Sequence, residues 1–290
     1  MRVAFLGLGA IGAPMAATLQ AGGIDTAVWN RTAAKATAHA AAHGTVVLPN
    51  LDALVDAEVV CSCLPTHVEV AQVVAEAAQH LRPGTIWLDH TSADPDGARE
   101  VAATLGEHGV HYLDAPVSGG TDGAAEGRLT VMVGGDASKL DEVMDVVDVM
   151  AARVVPMGPV GAGMAVKAVN NALLAASLWA AGEGLVALKA AGVDPSAALE
   201  VINGASGRSF ASEQLIGQRV LTREFPRTFA LGLLAKDVGL AANLVDSVGQ
   251  DAPAIAQADV RTRDAASRLG ADADHVELVK LIEAAAELEL

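Results

Sequence analysis

The start of the chain is a glycine-spaced segment, residues 3–23, which reads VAFLGLGAIGAPMAATLQAGG. Its apolar run is interrupted by glycines and then passes into an alanine-rich pattern, which predicts a buried strand, a tight turn and a helix. The first glycine allows the chain to reverse, the second lets the backbone approach a pyrophosphate, and the third lets helix and strand pack closely. The segment therefore predicts dinucleotide binding. The residues expected at the cofactor are Gly7, Leu8, Gly9, Ala10, Ile11 and Gly12.

A secretory signal peptide is the competing interpretation of this start, because Arg2 precedes the apolar run. Such a peptide needs no spaced glycines, and a second strand follows at once at residues 25–30. The only cysteines are Cys61 and Cys63, whose spacing on one strand is poor for a disulfide. We therefore expect core cysteines and a cytoplasmic location.

Apolar strand-like runs alternate with helical patterns over roughly the first half of the chain, which is typical of a parallel sheet. From Gly158 onward only helical patterns follow, beginning with a long apolar one at about residues 162–191. The sequence predicts an α/β Rossmann domain over residues 1–161, with a mostly parallel sheet and helices on both faces. An all-α C-terminal domain over residues 162–290 is expected to follow. The strands are expected at residues 3–6, 26–29, 45–48, 58–63, 86–89, 110–114, 129–135 and 153–156, about eight in all.

The choice of cofactor depends on the turn after the second strand, Asn30-Arg31-Thr32. NAD-binding proteins place an acidic residue there for the adenosine ribose hydroxyls, whereas an arginine suits a 2′-phosphate. This turn favours NADP(H), with NAD(H) possible, and a solvated Arg31 is the alternative. Two later strand ends add Leu64 and Pro65 on the adenosine side, and Thr91 or Ser92 at the nicotinamide ribose or in an ordinary turn.

Lys167 and Asn171 lie four residues apart on the predicted long helix and so share one face. If that face meets the nicotinamide end of the cofactor crevice, the lysine can donate a proton to a carbonyl oxygen while hydride reaches its carbon. In the reverse direction it would accept the alcohol proton. A snorkelling lysine and an interhelical asparagine would explain the same spacing. The spacing by itself leaves both interpretations open.

Charge and composition exclude other classes of function. With 35 acidic and 19 basic side chains the net charge is −16, and no basic patch offers a nucleic-acid site. The longest apolar run, residues 172–182, ends at Glu183 and is too short to cross a bilayer, so we expect no membrane partner. The histidines form no metal-binding pattern, and we expect no metal.

Four motifs in order resemble the β-hydroxyacid dehydrogenase family over essentially the whole chain: GLGAIGAPMA, DAPVSGG, GAGMAVKAVNN and LAKD. The family includes 3-hydroxyisobutyrate dehydrogenases and tartronate, glyoxylate and succinic semialdehyde reductases. The resemblance implies a small carboxylate substrate and a homodimer or homotetramer formed through the helices. It implies Lys167 as the catalytic lysine and cofactor contacts from Leu64, Pro65 and Ser92. For substrate binding it implies Ser118, Gly119, Gly120, Asn171 and Lys236, with Lys236 also over the cofactor and Asp237 beside it.

Two departures from the family pattern stand out. Ile11 occupies a position where the family often has methionine, and His90-Thr91-Ser92 replaces a more usual run of small hydroxyl residues. The Asn30-Arg31-Thr32 turn is similar to that of NADPH-using members. The role of Gly207-Arg208-Ser209, a segment similar to one in the 3-hydroxyisobutyrate branch, stays open.

The sequence thus predicts an NADP-preferring oxidoreductase that interconverts a small β-hydroxy acid and its semialdehyde or ketone. An imine reductase of the same architecture is one alternative, although such relatives typically lack the lysine. A non-catalytic dinucleotide-binding scaffold is the other, although it has little reason to keep Lys167, Asn171 and Lys236 together.

Overall fold

A nine-stranded sheet is the centre of the N-terminal part of the chain in the computed structural model, which describes all 290 residues. The strands are β1 Arg2–Leu6, β2 Asp25–Trp29, β3 Val46–Val47, β4 Val59–Ser62, β5 Ile86–Asp89, β6 His111–Asp114, β7 Val117–Ser118, β8 Leu129–Gly134 and β9 Ala151–Gly158. Their order in the sheet is β3-β2-β1-β4-β5-β6-β8-β7, with β9 beside β8. Pairing is parallel except where β8 meets β6 and β7. The predicted mostly parallel sheet is confirmed.

Helices cover both faces of this sheet because the central strands are apolar on both sides. The helices of this part are α1 Gly12–Ala21, α2 Ala33–His43, α3 His67–Ala77, α4 Pro95–Gly106, α5 Gly120–Ala125, α6 Ala137–Asp141 and α7 Met144–Met150. One core cluster includes Phe5 and Leu88 and packs against α1 and α7. The other includes Leu6 and Trp87 and packs against α3 and α4. Alternate residues of the central strands β1, β4 and β5 supply the two cores.

The rest of the chain is helical, as predicted. It contains α8 Ala162–Ala190, α9 Pro195–Asn203, a π-helix Ala211–Val220, α10 Leu231–Ser247, α11 Pro253–Leu269, a 3-10 helix His275–Leu278 and α12 Val279–Ala286. The chain divides into two compact units, Met1–Lys167 and Ala168–Leu290. The division falls inside α8, six residues after the predicted boundary at residue 161.

One local prediction needs correction. Nine strands form instead of about eight, because the two-residue strand β7 is too short to show in a hydrophobic pattern. After Asn50 the chain forms a 3-10 helix, Leu51–Asp56, which Asn50 caps by accepting a hydrogen bond from the backbone N–H of Ala53. Between β8 and β9 the chain forms two short helices, α6 and α7.

One apolar helix is longer than the run at residues 172–182, so the expectation that no segment is long enough to cross a bilayer is corrected. Helix α8 has 29 residues and contains an 18-residue window of mean hydropathy 1.4, because the apolar character of the helix resumes after Glu183. Length and composition alone are weak grounds for a membrane span, since buried core helices have the same properties, and 44% of this window is buried.

Candidate active site

The glycine turn between β1 and α1 has the geometry that a dinucleotide requires. A Cβ atom added to Gly7, whose φ is 100°, would lie 2.3 Å from the carbonyl oxygen of Cys63. A Cβ added to Gly12 would lie 2.1 Å from the carbonyl oxygen of Gly7, whereas one added to Gly9 would meet no atom within 4 Å. Packing therefore requires glycine at positions 7 and 12. Position 9 leaves open space beside the backbone, which fits a pyrophosphate at this turn.

The turn after β2 is tied to the glycine turn through Asn30. The backbone N–H of Leu8 donates to Asn30 Oδ1 at 3.0 Å, and Asn30 Nδ2 donates to the carbonyl oxygen of Thr32 at 3.1 Å. Asn30 is thus a brace between two loops. Its neighbour Arg31 is exposed.

One carboxylate lies within the electrostatic influence of Arg31. Glu69, in the first turn of α3, accepts a hydrogen bond from Thr66 Oγ1 at 2.5 Å. This hydrogen bond chiefly lowers the pKa of Glu69, and the positive charge of Arg31 lowers it further. Glu69 is therefore ionised at neutral pH and partly offsets the charge of Arg31.

A buried carboxylate fixes the ends of the central strands. Asp89 accepts hydrogen bonds from Ser62 Oγ at 2.8 Å, from Tyr112 Oη at 2.9 Å and from the backbone N–H of Thr91 at 3.1 Å. Burial raises the pKa of Asp89, and burial together with Asp89 raises the pKa of Tyr112, which stays a donor. The network joins the carboxyl ends of β4 and β5, where ligands bind in such sheets, to the Tyr112 side chain of β6.

The same network separates the two candidate hydroxyls after β5. Thr91 is fully buried, and its Oγ1 accepts a hydrogen bond from the backbone N–H of Leu64 at 3.1 Å. Thr91 therefore supports the Leu64-Pro65 segment and cannot reach a ligand. Ser92 is half-buried, and its contact with cofactor stays a prediction.

His90 supports the next loop from inside the protein. Its Nδ1 lies 2.8 Å from the carbonyl oxygen of Ala115, and its ring stacks on Phe5 with 6.4 Å between centroids. Burial lowers the pKa of His90 to about 4. The ring is therefore neutral at neutral pH, and Nδ1–H donates to Ala115 at the base of the segment that leads to Ser118.

The predicted carboxylate-binding loop begins in the sheet and continues into exposed glycines. Ser118 belongs to β7 and pairs with Thr130 of β8. Gly119 and Gly120 follow with φ of 139° and 66°, which side chains rarely adopt. A Cβ on Gly120 would meet no atom within 4 Å. The sheet thus fixes Ser118, and the two exposed glycines offer backbone N–H groups that a carboxylate can reach.

The start of α8 is attached to the end of β6. Asp114 Oδ1 accepts a hydrogen bond from the backbone N–H of Gly161 at 2.7 Å, and its Oδ2 accepts one from that of Met164 at 3.0 Å. Burial raises the pKa of Asp114, while the backbone N–H groups oppose the rise. Lys167, half-buried, lies three residues after Met164 on the same helix. It belongs to the same compact unit as Ser118 and the glycine turn.

In the second unit, two of the predicted substrate residues meet at one carboxylate. Asn171 Nδ2 donates to Asp237 Oδ2 at 2.6 Å, and Lys236 Nζ forms an ion pair with Asp237 Oδ1 at 3.0 Å. Asn171 is buried, and its Oδ1 accepts a hydrogen bond from Asn170 at 3.1 Å. Asn171 therefore holds Asp237 in place. Its predicted contact with substrate stays a prediction.

The chemistry-bearing residues that the patterns did not single out are buried carboxylates. Asp89 and Asp114 each end an apolar strand, Ile86–Asp89 and His111–Asp114, and this repeated position was the available signal. The structure contains no group of three or more His, Cys, Asp or Glu side chains suited to a metal ion. Arg208, of open role, forms an ion pair with Glu213 at 3.6 Å.

Two family models match most of the chain. Residues 2–158 match the family model described as the NAD binding domain of 6-phosphogluconate dehydrogenase. Residues 161–282 match the one described as NAD-binding of NADP-dependent 3-hydroxyisobutyrate dehydrogenase.

Individual relatives are similar over nearly their whole length. A Mycobacterium tuberculosis protein named as a probable 3-hydroxyisobutyrate dehydrogenase is 35% identical, over 98% of this chain and 99% of its own. The NAD-dependent L-serine dehydrogenase of Pseudomonas aeruginosa is 34% identical, over 87% of this chain and 88% of its own. The solved structure of Mycobacterium tuberculosis 3-hydroxyisobutyrate dehydrogenase with L-serine has a TM-score of 0.90 at 34% identity, covering 97% of this chain and 98% of that one.

Proposed function

The chain belongs to the β-hydroxyacid dehydrogenase family of NAD(P)-dependent oxidoreductases, and on this premise we propose that it prefers NADP and uses Lys167 as its proton donor and acceptor. The reaction class is that of 3-hydroxyisobutyrate dehydrogenase and related hydroxyacid dehydrogenases. The proposed substrate pair is a small β-hydroxy acid and its semialdehyde. The observation that carries the proposal is that Lys167, Ser118 and the open glycine turn belong to one compact unit.

The proposed substrate class follows from what the names of the relatives have in common. L-Serine and 3-hydroxyisobutyrate both carry a carboxylate and a hydroxyl on the carbon β to it. A carboxylate needs fixed donors, and Ser118 with the backbone of Gly119 and Gly120 offers them at a sheet edge. The reactive hydroxyl would then lie a fixed two carbons away from that anchor.

The proposed chemistry divides between cofactor and protein. When bound, the nicotinamide accepts or supplies the hydride. Lys167 accepts the proton of the hydroxyl during oxidation and returns one to the carbonyl oxygen during reduction. The Lys167 side chain is half-buried on α8.

The NADP preference rests on Arg31. An exposed guanidinium at the end of β2 can form charge-assisted hydrogen bonds with a 2′-phosphate. Glu69 acts against it, because an ionised carboxylate within reach of Arg31 repels the phosphate. We therefore propose a preference for NADP that is moderate, with NAD also accepted.

The proposal includes assembly through the helical unit and a cytoplasmic location. Several large apolar side chains of that unit are more than half exposed, and a homodimer or homotetramer would cover such side chains. They include Leu173, Val201, Phe210 and Val260. Light scattering during gel filtration tests the assembly, and a monomer at all concentrations would contradict it.

The proposed cytoplasmic location is in keeping with two free cysteines, which suit a reducing compartment.

A panel assay tests the proposed reaction. Reduction of NADP⁺ and NAD⁺ would be followed with 3-hydroxyisobutyrate, L-serine, glycerate, 4-hydroxybutyrate and 3-hydroxypropionate, and the reverse reaction with glyoxylate, succinic semialdehyde and a cyclic imine. Turnover of at least one β-hydroxy acid, with the higher kcat/KM for NADP⁺, is expected. Turnover of the imine alone would instead indicate an imine reductase, and no turnover at all a scaffold.

A further inference from the structure

Asp114 lies between the predicted substrate loop, residues 118–120, and the start of α8. It is the last residue of β6 and opens the segment that reaches Ser118 four residues later. Its side chain is fully buried, and both carboxylate oxygens accept backbone N–H groups from the start of α8, those of Gly161 and Met164. One side chain therefore joins two segments that are 47 and 50 residues apart in sequence.

Close backbone packing makes this joint tight. A Cβ atom added to Gly163 would lie 2.3 Å from the carbonyl oxygen of Met132 in β8 and 2.9 Å from Asp114 Oδ2. A Cβ added to Gly134, also in β8, would lie 2.3 Å from Asp114 Oδ1. The first turn of α8 thus rests directly on β8 and on the carboxylate, with no side chain between them.

The same strand β8 also carries the substrate loop. Val117 and Ser118 pair with Val131 and Thr130 of β8, next to Met132. Ser118 and the first turn of α8 therefore both pack on neighbouring residues of one strand. Lys167 lies one helical turn beyond Gly163, so its backbone position relative to Ser118 is set by this frame.

The segment before α8, residues 160–161, also contacts α4. Arg99 Nη1 donates to the carbonyl oxygen of Val160 at 3.3 Å, and a Cβ on Gly161 would lie 2.9 Å from the carbonyl oxygen of Pro95. These contacts limit movement of residues 160–161 away from the sheet. The hydrogen bonds to Asp114 then determine where the helix starts.

We propose that Asp114 is a positioning residue, whose carboxylate fixes the start of α8 and thereby holds the Lys167 amine at the distance from Ser118 that proton transfer needs. The inference rests on the proposed role of Lys167. A carboxylate suits this task because it accepts on both oxygens, and negative charge is stabilised at a helix N-terminus. An asparagine has one acceptor oxygen and would turn its NH₂ group towards one of the two backbone N–H groups.

Asp114→Asn tests the proposal in the full-length enzyme. We expect the cofactor Kd to stay within about twofold, while kcat falls roughly 10- to 100-fold, since small displacements of a reacting group have large effects on rate. The primary deuterium isotope effect on kcat should rise as the chemical step becomes limiting. A purely structural Asp114 would lower only the melting temperature, so an unchanged kcat and isotope effect in the folded variant would overturn the proposal.

A control and a second variant keep the test decisive. Asp136→Asn removes a carboxylate cap from α6 in the same unit, where Asp136 accepts from the backbone N–H of Ser138 at 2.9 Å. It should leave kcat unchanged. If Asp114→Asn fails to fold, Gly163→Ala takes its place, because the added methyl group displaces the helix start both from Met132 and from the Asp114 carboxylate. It should lower kcat with the same rise in isotope effect, and normal turnover in it would count against the proposal.

Double variants separate this inference from the proposed function. If Asp114 acts through Lys167, adding Asp114→Asn to Lys167→Met causes no further loss of kcat. Multiplicative losses would show that Asp114 acts by another route, which overturns the inference alone. Full activity of Lys167→Met by itself would instead contradict the proposed function.

Discussion

The amide of Asn171 donates to the carboxylate of Asp237 across 2.6 Å, and the same carboxylate pairs with the ammonium group of Lys236. Asp237 is almost fully buried, and these two partners each contact one of its carboxylate oxygens. The two residues implied in substrate binding are therefore not independent. Their positions are set by a third residue between them.

Asp237→Asn should raise the substrate KM at least tenfold, because Lys236 loses its ion-pair partner and the Asn171 amide faces another amide. The cofactor Kd should change much less. Steady-state kinetics with the best substrate of the panel measures both. Asp259→Asn is the matched control, since Asp259 is also buried in the helical unit and pairs with Arg263 instead. Equal effects of the two variants on KM would contradict this account.

The glycine turn allows a separation of folding from cofactor binding. Gly9→Ala should fold normally, since its Cβ meets no protein atom within 4 Å, and should weaken cofactor binding about tenfold or more by occupying the space of the pyrophosphate. Gly106→Ala, also with no atom within 4 Å, is the control and should bind cofactor normally. Calorimetric titration with NADP⁺ and thermal melts measure the two properties. Unchanged affinity in Gly9→Ala would mean that the phosphates lie elsewhere.

Arg31→Ala should lower kcat/KM for NADP⁺ about tenfold or more while changing that for NAD⁺ little, because only NADP⁺ carries the 2′-phosphate. Glu69→Gln should act in the opposite direction and increase the preference for NADP⁺. Arg82→Ala removes an exposed arginine that pairs with Asp56 in the same unit and serves as control. An equal loss with both cofactors in Arg31→Ala would assign the arginine a structural role.

His90 should make the protein less stable in acid. Its pKa of about 4 in the fold lies below the ordinary value of 6.5, so the unfolded chain binds the proton more readily. The stability that neutral His90 provides is complete above about pH 6.5 and is lost as the pH falls towards 4, an effect of ~3 kcal/mol. The free energy of unfolding of His90→Gln should therefore fall less over this range. His108→Gln is the control, because His108 is exposed, and its pH profile should match that of the wild type. Parallel pH profiles for the wild type and His90→Gln would contradict the role of His90.

The fold was readable from sequence where the pattern is strong and local. The apolar runs located β5 at Ile86–Asp89, and the roles of Gly7, Gly9 and Gly12 follow from the strand–turn–helix order. Strand β7 and the π-helix Ala211–Val220 were not predictable, because two residues carry no period and a π-helix needs tertiary support.

The candidate site was less accessible to sequence reasoning. Lys167 and Ser118 were singled out by their motifs, but the supports of the site were not. Asp89 and Asp114 look like ordinary polar strand ends until the sheet order brings β4, β5, β6 and the start of α8 together. Contacts between residues 47 or more positions apart cannot be inferred from spacing.

The central claim, that the Lys167 amine transfers the proton, is tested most directly by kcat of Lys167→Met with saturating substrate and NADP⁺. Methionine keeps most of the length of the side chain and removes the titrating group. We predict that NADP⁺ binds with normal affinity and that kcat falls by about two to four orders of magnitude. A kcat near that of the wild type in a fully folded variant would contradict the mechanism.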